Sequence, residues 1–155
     1  MGIVKYVDFD YYLNRIKASE TGVLLARVAK EISSHSTVSP ALMNEILTQR
    51  ASTGGISLEN GVAMFDLTSR FIIKPVTLIA TLEAEIDLQA PDNKPVDLFI
   101  AVISPANNVS AHLQRLSGVA RLFRSQELCK ALRSAKSVDE MKVLFMPTQD
   151  WMVAA

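Results

Sequence analysis

The sequence lacks features that mark secreted proteins and nucleic-acid-binding proteins. It has a single cysteine, Cys129, so it has no internal disulfide, and a lone thiol suits a reducing compartment. It also has no net charge, because sixteen lysines and arginines balance sixteen aspartates and glutamates. Proteins that bind nucleic acid need clustered positive charge to displace counterions from phosphates. We therefore expect a cytoplasmic protein that does not bind nucleic acid.

Long hydrophobic runs are absent as well. The first twelve residues, MGIVKYVDFDYY, contain acids and have no long apolar core, so they do not resemble a secretory signal. No apolar run approaches the roughly eighteen residues that span a bilayer, and we expect no membrane insertion. With 155 residues, 49% of them hydrophobic, the chain has the size and composition of one globular domain. We assign this domain to residues 1–146 and a loose C-terminal tail to residues 147–155.

The usual signatures of metal and cofactor sites are missing. The sequence has no cysteine pair, no HExxH motif and no cluster of histidine, cysteine and acidic residues, so we expect no metal ion. Thr53-Gly54-Gly55 lacks the lysine and the spacing of a phosphate-binding P-loop, and no GxGxxG motif is present. We therefore expect no bound cofactor.

Hydrophobic periodicity predicts helices towards both ends of the chain. A first helix opens at residues 19–21, and a second starts at Ser39-Pro40, where serine caps free amides and proline has no N–H to lose. From Asn108 the pattern is helical again, with further starts at Ser125 and at Ser137, the latter in the capping-box sequence SVDE. The apolar stripe of the Asn108 helix comprises Leu113, Leu116, Ala120 and Phe123.

Short apolar runs between the helices predict strands. Tyr11–Ile16 is expected to be an edge strand, and further strands are predicted at residues 61–65, 71–73, 76–82 and 96–103. The last run, within VDLFIAVIS, is almost continuously hydrophobic, as expected of a central strand covered on both faces. Residues 51–61 are predicted to be a loop and residues 91–94 a turn. This order predicts an α/β fold with a mixed parallel and antiparallel sheet flanked by helices on both faces.

Taken one at a time, the polar residues fit structural roles. Asp66 follows an apolar run, where a solvated loop acid is the ordinary expectation, and Arg50 at a helix end favours the helix dipole. His112 lies beside the apolar stripe and fits a partly buried structural histidine better than a functional one. His35 lies in a polar loop, and Cys129 fits a core position. These residues alone define a cytoplasmic α/β domain without a specific activity.

Several segments, taken in order, are more informative than single residues. Arg50 is followed by ASTGGISLE and then by NGVAMFD, which ends at Asp66. Downstream come KPVDLFIAVISP, then AHLQRLSGVARLF with His112, then LCKALRSAKSVDEMKVLF. Together they resemble the enzyme IIA family of the bacterial phosphotransferase system, of the mannitol–fructose and nitrogen-regulatory type. In that family an arginine and a Gly/Ser/Thr-rich loop precede N-G-(I/V)-A-x-P-H. The resemblance covers residues 19–145.

The resemblance implies a site. In the family, the histidine that ends the motif takes a phosphoryl group from the phosphohistidine of a small carrier protein. The arginine and a second histidine help to stabilise the charge on the phosphoryl oxygens in flight. In this sequence the three places fall on Asp66, Arg50 and His112. The nucleophilic histidine is therefore replaced by an aspartate, while both of its helpers are present.

Residues beside Asp66 depart from the motif too. Phe65 replaces the proline, and Leu67 and Thr68 stand where glycine and a basic residue are common. Several changes at one place resemble a site released from its original chemistry. The resemblance implies a protein partner, either the phosphocarrier protein or a regulatory target, and we expect Met64, Phe65 and Leu67 to contact it.

Three functions stay open from the sequence. The chain could be a regulatory domain that binds proteins, with Asp66 as a fixed negative charge in place of the phosphorylated histidine. It could instead remain a phosphoryl carrier, with the group on Asp66 as an acyl phosphate or on His112. An acyl phosphate usually needs charge neutralisation by a metal, which favours the first function. A third possibility is the same fold with a new small-molecule pocket.

Overall fold

The computed structural model describes residues 9–54, 56–87 and 95–146. In chain order the elements are β1 (Tyr11–Ile16), α1 (Thr21–Ser33), α2 (Pro40–Ser52), β2 (Ile56–Glu59), β3 (Val62–Ser69), β4 (Val76–Ile86), β5 (Val96–Pro105), α3 (Val109–Leu122), α4 (Gln126–Ser134) and α5 (Val138–Val143). The strands form one sheet in the order β1-β4-β5-β3-β2. The predicted turn at 91–94 and the predicted tail at 147–155 lie outside the described residues.

The sheet is mixed, as predicted. β1 is parallel to β4 and β3 is parallel to β5, whereas the β4–β5 and β2–β3 pairs are antiparallel. β5 is the central strand, and its residues from Leu98 to Ser104 are all buried. β1 lies at one edge. Both positions agree with the sequence analysis. The central position of β5 was predicted because only a strand covered on both faces is apolar along its whole length.

Each face of the sheet is covered by helices, which confirms the predicted fold class. Alternate residues of β5 point to opposite faces. Phe99, Ala101 and Ile103 pack in a core with α1 and α2, which contribute such residues as Leu24, Val28, Met43 and Leu47. Leu98, Ile100 and Val102 pack in a second core with α3, α4 and α5, which contribute Val119, Cys129, Leu132 and Met141. Burying a large apolar side chain contributes about 1.5–3 kcal/mol, so the two cores hold the sheet rigidly between helix layers.

Side-chain caps fix where four of the helices begin. The oxygens of Ser39, Asn108, Ser125 and Ser137 each accept a hydrogen bond from the amide three residues later, at 3.1–3.2 Å. Such a cap contributes roughly 0.5–2 kcal/mol. The predicted capping box differs in one bond: the Glu140 carboxylate accepts from the amide of Lys136, at 2.6 Å, rather than from that of Ser137.

Three predictions of local structure are wrong. The predicted loop at 51–61 contains the C-terminal end of α2 and the whole of β2. Residues 71–73 are not a strand but part of the connection from β3 to β4. Leu113 is 56% exposed, because the buried face of α3 is centred on His112 and Val119 instead. Two other members of the predicted stripe, Leu116 and Phe123, do pack against the second core.

The turn between β2 and β3 depends on Gly61. Asn60 and Gly61 both have left-handed backbone angles, with φ of 53° and 79°, which a two-residue hairpin turn requires. The Arg133 guanidinium lies over this turn: its Nη2 donates to the Asn60 carbonyl at 3.1 Å and its Nε to Asp97 at 2.9 Å. A Cβ on Gly61 would meet Arg133 Nη2 at 2.9 Å.

We predict that Gly61→Ala lowers the free energy of unfolding by about 1–3 kcal/mol, because alanine is strained at this φ and displaces Arg133. Gly22→Ala is the matched control. Gly22 is the second residue of α1, and an added Cβ there would meet no heavy atom within 4 Å apart from its chain neighbours and the backbone of its own helix. This control should be stabilised by about 0.5 kcal/mol, since alanine restricts the unfolded chain. Urea unfolding measures both, and equal effects of the two substitutions would contradict the assigned turn.

Candidate functional site

Asp66 lies within β3 and not in a loop after it, which corrects the sequence interpretation. In the parallel register with β5 it stands opposite Val102, and its backbone neighbours Phe65 and Leu67 point to the opposite face. The Asp66 side chain therefore lies on the face covered by α3, where it is 27% exposed. A carboxylate on this face, next to a buried apolar row, needs partners for its oxygens.

Arg50 reaches Asp66 from the last turn of α2. Arg50 Nε donates to the Asp66 main-chain carbonyl at 2.9 Å, and Nη2 lies 3.3 Å from Asp66 Oδ2. Among the described residues, β2 pairs with β3 as far as Phe65, and the carbonyl of the next residue, Asp66, accepts from the Arg50 side chain. Both side chains are about one-third exposed, and an ion pair of this kind contributes at most about 1 kcal/mol. The contact positions the carboxylate more than it stabilises the fold.

His112 reaches the same carboxylate from the first turn of α3. Its Nε2 lies 3.2 Å from Asp66 Oδ1, and its side chain is only 3% exposed. The start of α3 is fixed by the Asn108 cap, four residues before His112. The structure thus brings Arg50, Asp66 and His112 together, with one carboxylate oxygen facing each basic side chain.

Two further residues complete this network, and the sequence interpretation missed both. Ser104 Oγ, at the end of β5, lies 2.6 Å from His112 Nδ1. Arg115, one turn after His112 on α3, donates to Ser104 Oγ at 2.6 Å. Burial lowers the pKa of Arg115, and the nearby Asp10 opposes this. A signal was available, because strand alternation places Ser104 on the same face as Val102, and residues three apart on a helix share a face.

Ser104, His112 and Asp66 form a hydroxyl–imidazole–carboxylate series of the kind found in serine hydrolases. Here the serine cannot attack a substrate. Ser104 is 3% exposed, and its oxygen already accepts a hydrogen bond from Arg115. A nucleophilic serine needs an accessible oxygen beside donors for an oxyanion. The series is therefore a buried support for His112, and it gives no reason to infer hydrolase activity.

The predicted partner contacts at Phe65 and Leu67 do not fit the structure. Phe65 is 0% exposed and Leu67 is 6% exposed, because both point into the core formed with α1 and α2. Met64 points to the other face and is partly buried against the second core. None of the three presents an open apolar surface. The exposed large apolar residues near the site lie elsewhere, in the β3–β4 connection (Phe71 and Ile73) and on α3 (Val109 and Leu113).

The other titratable residues considered from the sequence lie away from this network. Cys129 is buried in α4, and burial raises the pKa of its thiol. The exposed His35 stacks on Tyr11, with ring centroids 4.5 Å apart. Among the described residues, no group of three histidine, cysteine or acidic side chains could hold a metal. A polar depression of about 480 Å³ is lined by residues that include Asp97 and Arg133, and it contains none of the three site residues.

Comparisons with known proteins give a consistent assignment. Residues 12–145 match the family model described as "Phosphoenolpyruvate-dependent sugar phosphotransferase system, EIIA 2". A nitrogen regulatory protein of Escherichia coli is 31% identical over 111 residues, which cover 71% of this chain and 68% of that protein. A nitrogen regulatory protein of Bradyrhizobium diazoefficiens is 33% identical over 104 residues, or 66% of this chain and 68% of that protein.

Solved structures share the fold. Nitrogen regulatory protein IIA-Ntr from Neisseria meningitidis has a TM-score of 0.79 and 23% identity, over 88% of this chain and 92% of that chain. Escherichia coli enzyme IIA-Mtl, in its complex with phosphorylated enzyme IIB-Mtl, has a TM-score of 0.69 and 14% identity, over 94% and 96%. In the described part of this chain, no helix has the length and apolar character needed to cross a bilayer. The chain thus belongs to the enzyme IIA family of the bacterial phosphoenolpyruvate-dependent sugar phosphotransferase system, and its relatives include nitrogen regulatory proteins.

Proposed function

We propose that this chain is a cytoplasmic regulatory member of the enzyme IIA family, which acts by binding a protein partner, and that Asp66 is a fixed negative charge in place of the phosphorylated histidine. The observation that supports this most directly is the state of the Asp66 carboxylate. Oδ1 faces His112 Nε2 and Oδ2 faces Arg50 Nη2, so each oxygen already has a basic partner. The two residues that would hold a phosphoryl group instead hold a carboxylate.

The same contacts make Asp66 a poor phosphoryl acceptor. Each Asp66 oxygen already has one lone pair in a contact with a basic side chain, which holds the carboxylate in place and reduces its nucleophilicity. Asp66 would also bring its negative charge towards an anionic phosphoryl group. Arg50 offsets part of this repulsion, but no cluster of metal ligands in the described residues could supply a cation to offset the rest.

The mimicry of a phosphorylated site is partial. A phosphorylated side chain carries about −1.5 to −2 charges and three acceptor oxygens, against one charge and two oxygens for Asp66. Arg50 and His112 satisfy those two oxygens in the folded protein. We therefore expect the site to stay permanently in one state, so that partner binding does not depend on the phosphorylation of this chain.

We place the partner surface on the exposed apolar residues beside the site. Phe71 and Ile73 follow the strand that carries Asp66, and Val109 and Leu113 lie on the helix that carries His112. They are 42–77% exposed, and Arg70 stacks on the Phe71 ring. Enzyme IIA-Mtl, which has this fold, was solved in complex with another protein, enzyme IIB-Mtl. A nitrogen-regulatory role is supported by the names of the relatives at 31–33% identity.

The alternative is a working phosphoryl carrier that accepts the group from the phosphocarrier protein at Asp66 or His112. His112 is the weaker candidate, because its side chain is almost completely buried and both ring nitrogens already face partners. Phosphoryl transfer requires in-line access to the accepting atom.

We predict that the purified chain acquires no stable label from enzyme I, the carrier protein and labelled phosphoenolpyruvate. The reason is that the acceptor, Asp66, is anionic and that both of its carboxylate oxygens already face basic side chains. A homologous enzyme IIA protein with its histidine intact serves as the positive control in the same mixture. Stoichiometric labelling that disappears in Asp66→Asn would overturn the proposal in favour of an acyl phosphate. Labelling that disappears in His112→Ala would overturn it in favour of a relocated site.

A further inference from the structure

The surroundings of His112 extend the site beyond the three residues that face each other. We infer that Arg115, acting through Ser104, is a positioning residue that fixes the proton of His112 on Nε2 and so directs a hydrogen-bond donor at position 66. This deepens the proposed function and rests on it for its biological meaning. The proton position itself is a property of the isolated chain and can be measured without a partner.

Arg115 is held in place on the α3 face of the sheet. Nη2 donates to the Val76 carbonyl at 2.9 Å and to Thr77 Oγ1 at 2.7 Å. Nη1 donates to Ser104 Oγ at 2.6 Å and, more weakly, to the Ile103 carbonyl at 3.4 Å. The guanidinium thus connects α3 to both β4 and β5. Because an arginine has donors and no acceptor, the direction of each of these bonds is fixed.

That direction determines where the Ser104 hydrogen goes. Within the described residues, Ser104 Oγ has hydrogen-bond contacts with Arg115 and His112 alone. A hydroxyl has one hydrogen to donate and two lone pairs, one of which here accepts from Arg115. Arg115 has no acceptor, so of these two contacts only His112 Nδ1 can take the Ser104 hydrogen. The hydrogen is therefore donated to His112 Nδ1, 2.6 Å away. An Nδ1 that accepts carries no proton, so the ring proton lies on Nε2.

The Nε2 proton points to Asp66 Oδ1, at 3.2 Å. The whole series is then satisfied in one direction: Arg115 donates to Ser104, Ser104 to His112, and His112 to Asp66. A donor that is oriented before an anion occupies the site needs no rearrangement when the anion is present. The Arg115 side chain donates to Ser104, Thr77 and two main-chain carbonyls, and none of these bonds is to Asp66. Its role is therefore positioning and not catalysis.

Asp66 alone would also favour a proton on Nε2, so the two influences have to be separated. The experiment measures the ring nitrogen chemical shifts of His112 by ¹⁵N NMR, at a pH above which the histidine spectra no longer change. His35→Gln assigns the two histidines. In Asp66→Ala the carboxylate is gone, and the inference predicts that Nε2 remains the protonated nitrogen. The tautomer ratio should stay within about twofold of wild type, since the Arg115–Ser104 bond is intact.

The double variant Asp66→Ala with Arg115→Met removes the donor that holds the Ser104 hydroxyl in one orientation, so the hydroxyl can rotate and accept from Nδ1–H. The ratio should then shift at least about fivefold towards the Nδ1–H tautomer, the size expected for one hydrogen bond. Arg115→Lys in the same background keeps a donor without an acceptor and should restore the Nε2–H tautomer. Ser104→Ala in the Asp66→Ala background removes the bridge with little change in volume, and it should shift the ratio even if the Arg115→Met chain is too unstable for spectra.

In the Asp66→Ala background, a tautomer ratio that is unchanged by both Arg115→Met and Ser104→Ala would overturn the inference. So would a ratio that already shifts in Asp66→Ala alone, because Asp66 and not Arg115 would then fix the proton. A merely structural role for Arg115 would lower stability and leave the ratio in place. Phosphoryl labelling of the wild-type chain would remove the proposed function without affecting this result, so the two failures can be told apart.

Discussion

Replacing Phe65 by proline, the residue found at this place in the motif that the chain resembles, is expected to lower the free energy of unfolding by at least about 3 kcal/mol. Phe65 is fully buried, and its ring lies 6.2 Å from that of Phe99 on the central strand. Truncating a buried phenylalanine costs about 3–5 kcal/mol through lost burial and the cavity that remains. Proline recovers only a small part of that volume.

The backbone adds a second cost. The two-residue turn at Asn60-Gly61 makes Glu59–Val62 a hydrogen-bonded pair, so by alternation Phe65 directs its N–H away from β2 and towards β5. Proline has no N–H to donate to β5. The position lies between two strands, opposite Ile56 of β2 and Ala101 of β5. A proline inside a paired strand loses a ladder bond. The substitution that restores the motif is therefore among the most damaging at the site.

Urea unfolding of Phe65→Pro, Phe65→Ala and Phe65→Leu separates the two costs. Phe65→Leu keeps an apolar side chain and should lose only about 1–1.5 kcal/mol. Phe65→Ala should lose about 3–5 kcal/mol from the side chain alone, and Phe65→Pro should fall below it. A Phe65→Pro protein within about 1 kcal/mol of wild type would contradict the ladder position of this residue and the idea that the chain has adapted to phenylalanine.

The position of the central strand and of most helix starts could be predicted because each depends on local information. An apolar run like that of β5 can be buried on both faces only inside a sheet covered by helices. A serine before a helix accepts a hydrogen bond from an amide of the first turn, which marks where the helix begins. The contact between Arg50 and Asp66 was expected only from the spacing of a family motif. Nothing local to either residue indicates that an arginine on α2 reaches a carbonyl on β3, because that contact joins two layers of the fold.

The missed features show a different limit. The Asn60-Gly61 pair is a strong hairpin signal. The pair was interpreted from the sequence only as part of the family motif, so the strand before the turn, β2, was not predicted. No motif in the sequence marked Arg115 or Ser104 as site residues. Their importance comes from the packing of α3 on the sheet, with the face of His112 and Val119 turned inwards. A stripe chosen from apolar residues alone gave no role to Arg115, although Arg115 lies on the same helix face as His112.

Asp66→His is expected to gain detectable phosphoryl labelling, which the wild-type chain lacks, although well below one group per chain. An imidazole attacks phosphorus with a lone pair and without bringing a negative charge. Arg50 and His112 remain in place to stabilise the phosphoryl oxygens. The gain should be incomplete for two reasons. First, His112 Nε2–H points at position 66 and would form a hydrogen bond with the lone pair of the new histidine. Second, Phe65 and Leu67 stand where the family has proline and commonly glycine, so the backbone beside the new histidine differs from that of the family.

The labelling is measured with enzyme I, the carrier protein and labelled phosphoenolpyruvate, and Asp66→Gln is the matched control because it has no nucleophile. Adding Arg50→Met to Asp66→His should reduce the labelling rate by about 10²–10³, the usual effect of removing one group that stabilises transition-state charge.

Equal labelling of Asp66→Gln and Asp66→His would locate the phosphoryl group elsewhere in the chain. No labelling of a folded Asp66→His chain would mean that Arg50 and His112 do not preserve a phosphoryl pocket, because a neutral nucleophile at the right position should otherwise react. A labelled Asp66→His chain that depends on Arg50 would show that the wild-type protein lost phosphoryl transfer mainly through its nucleophile.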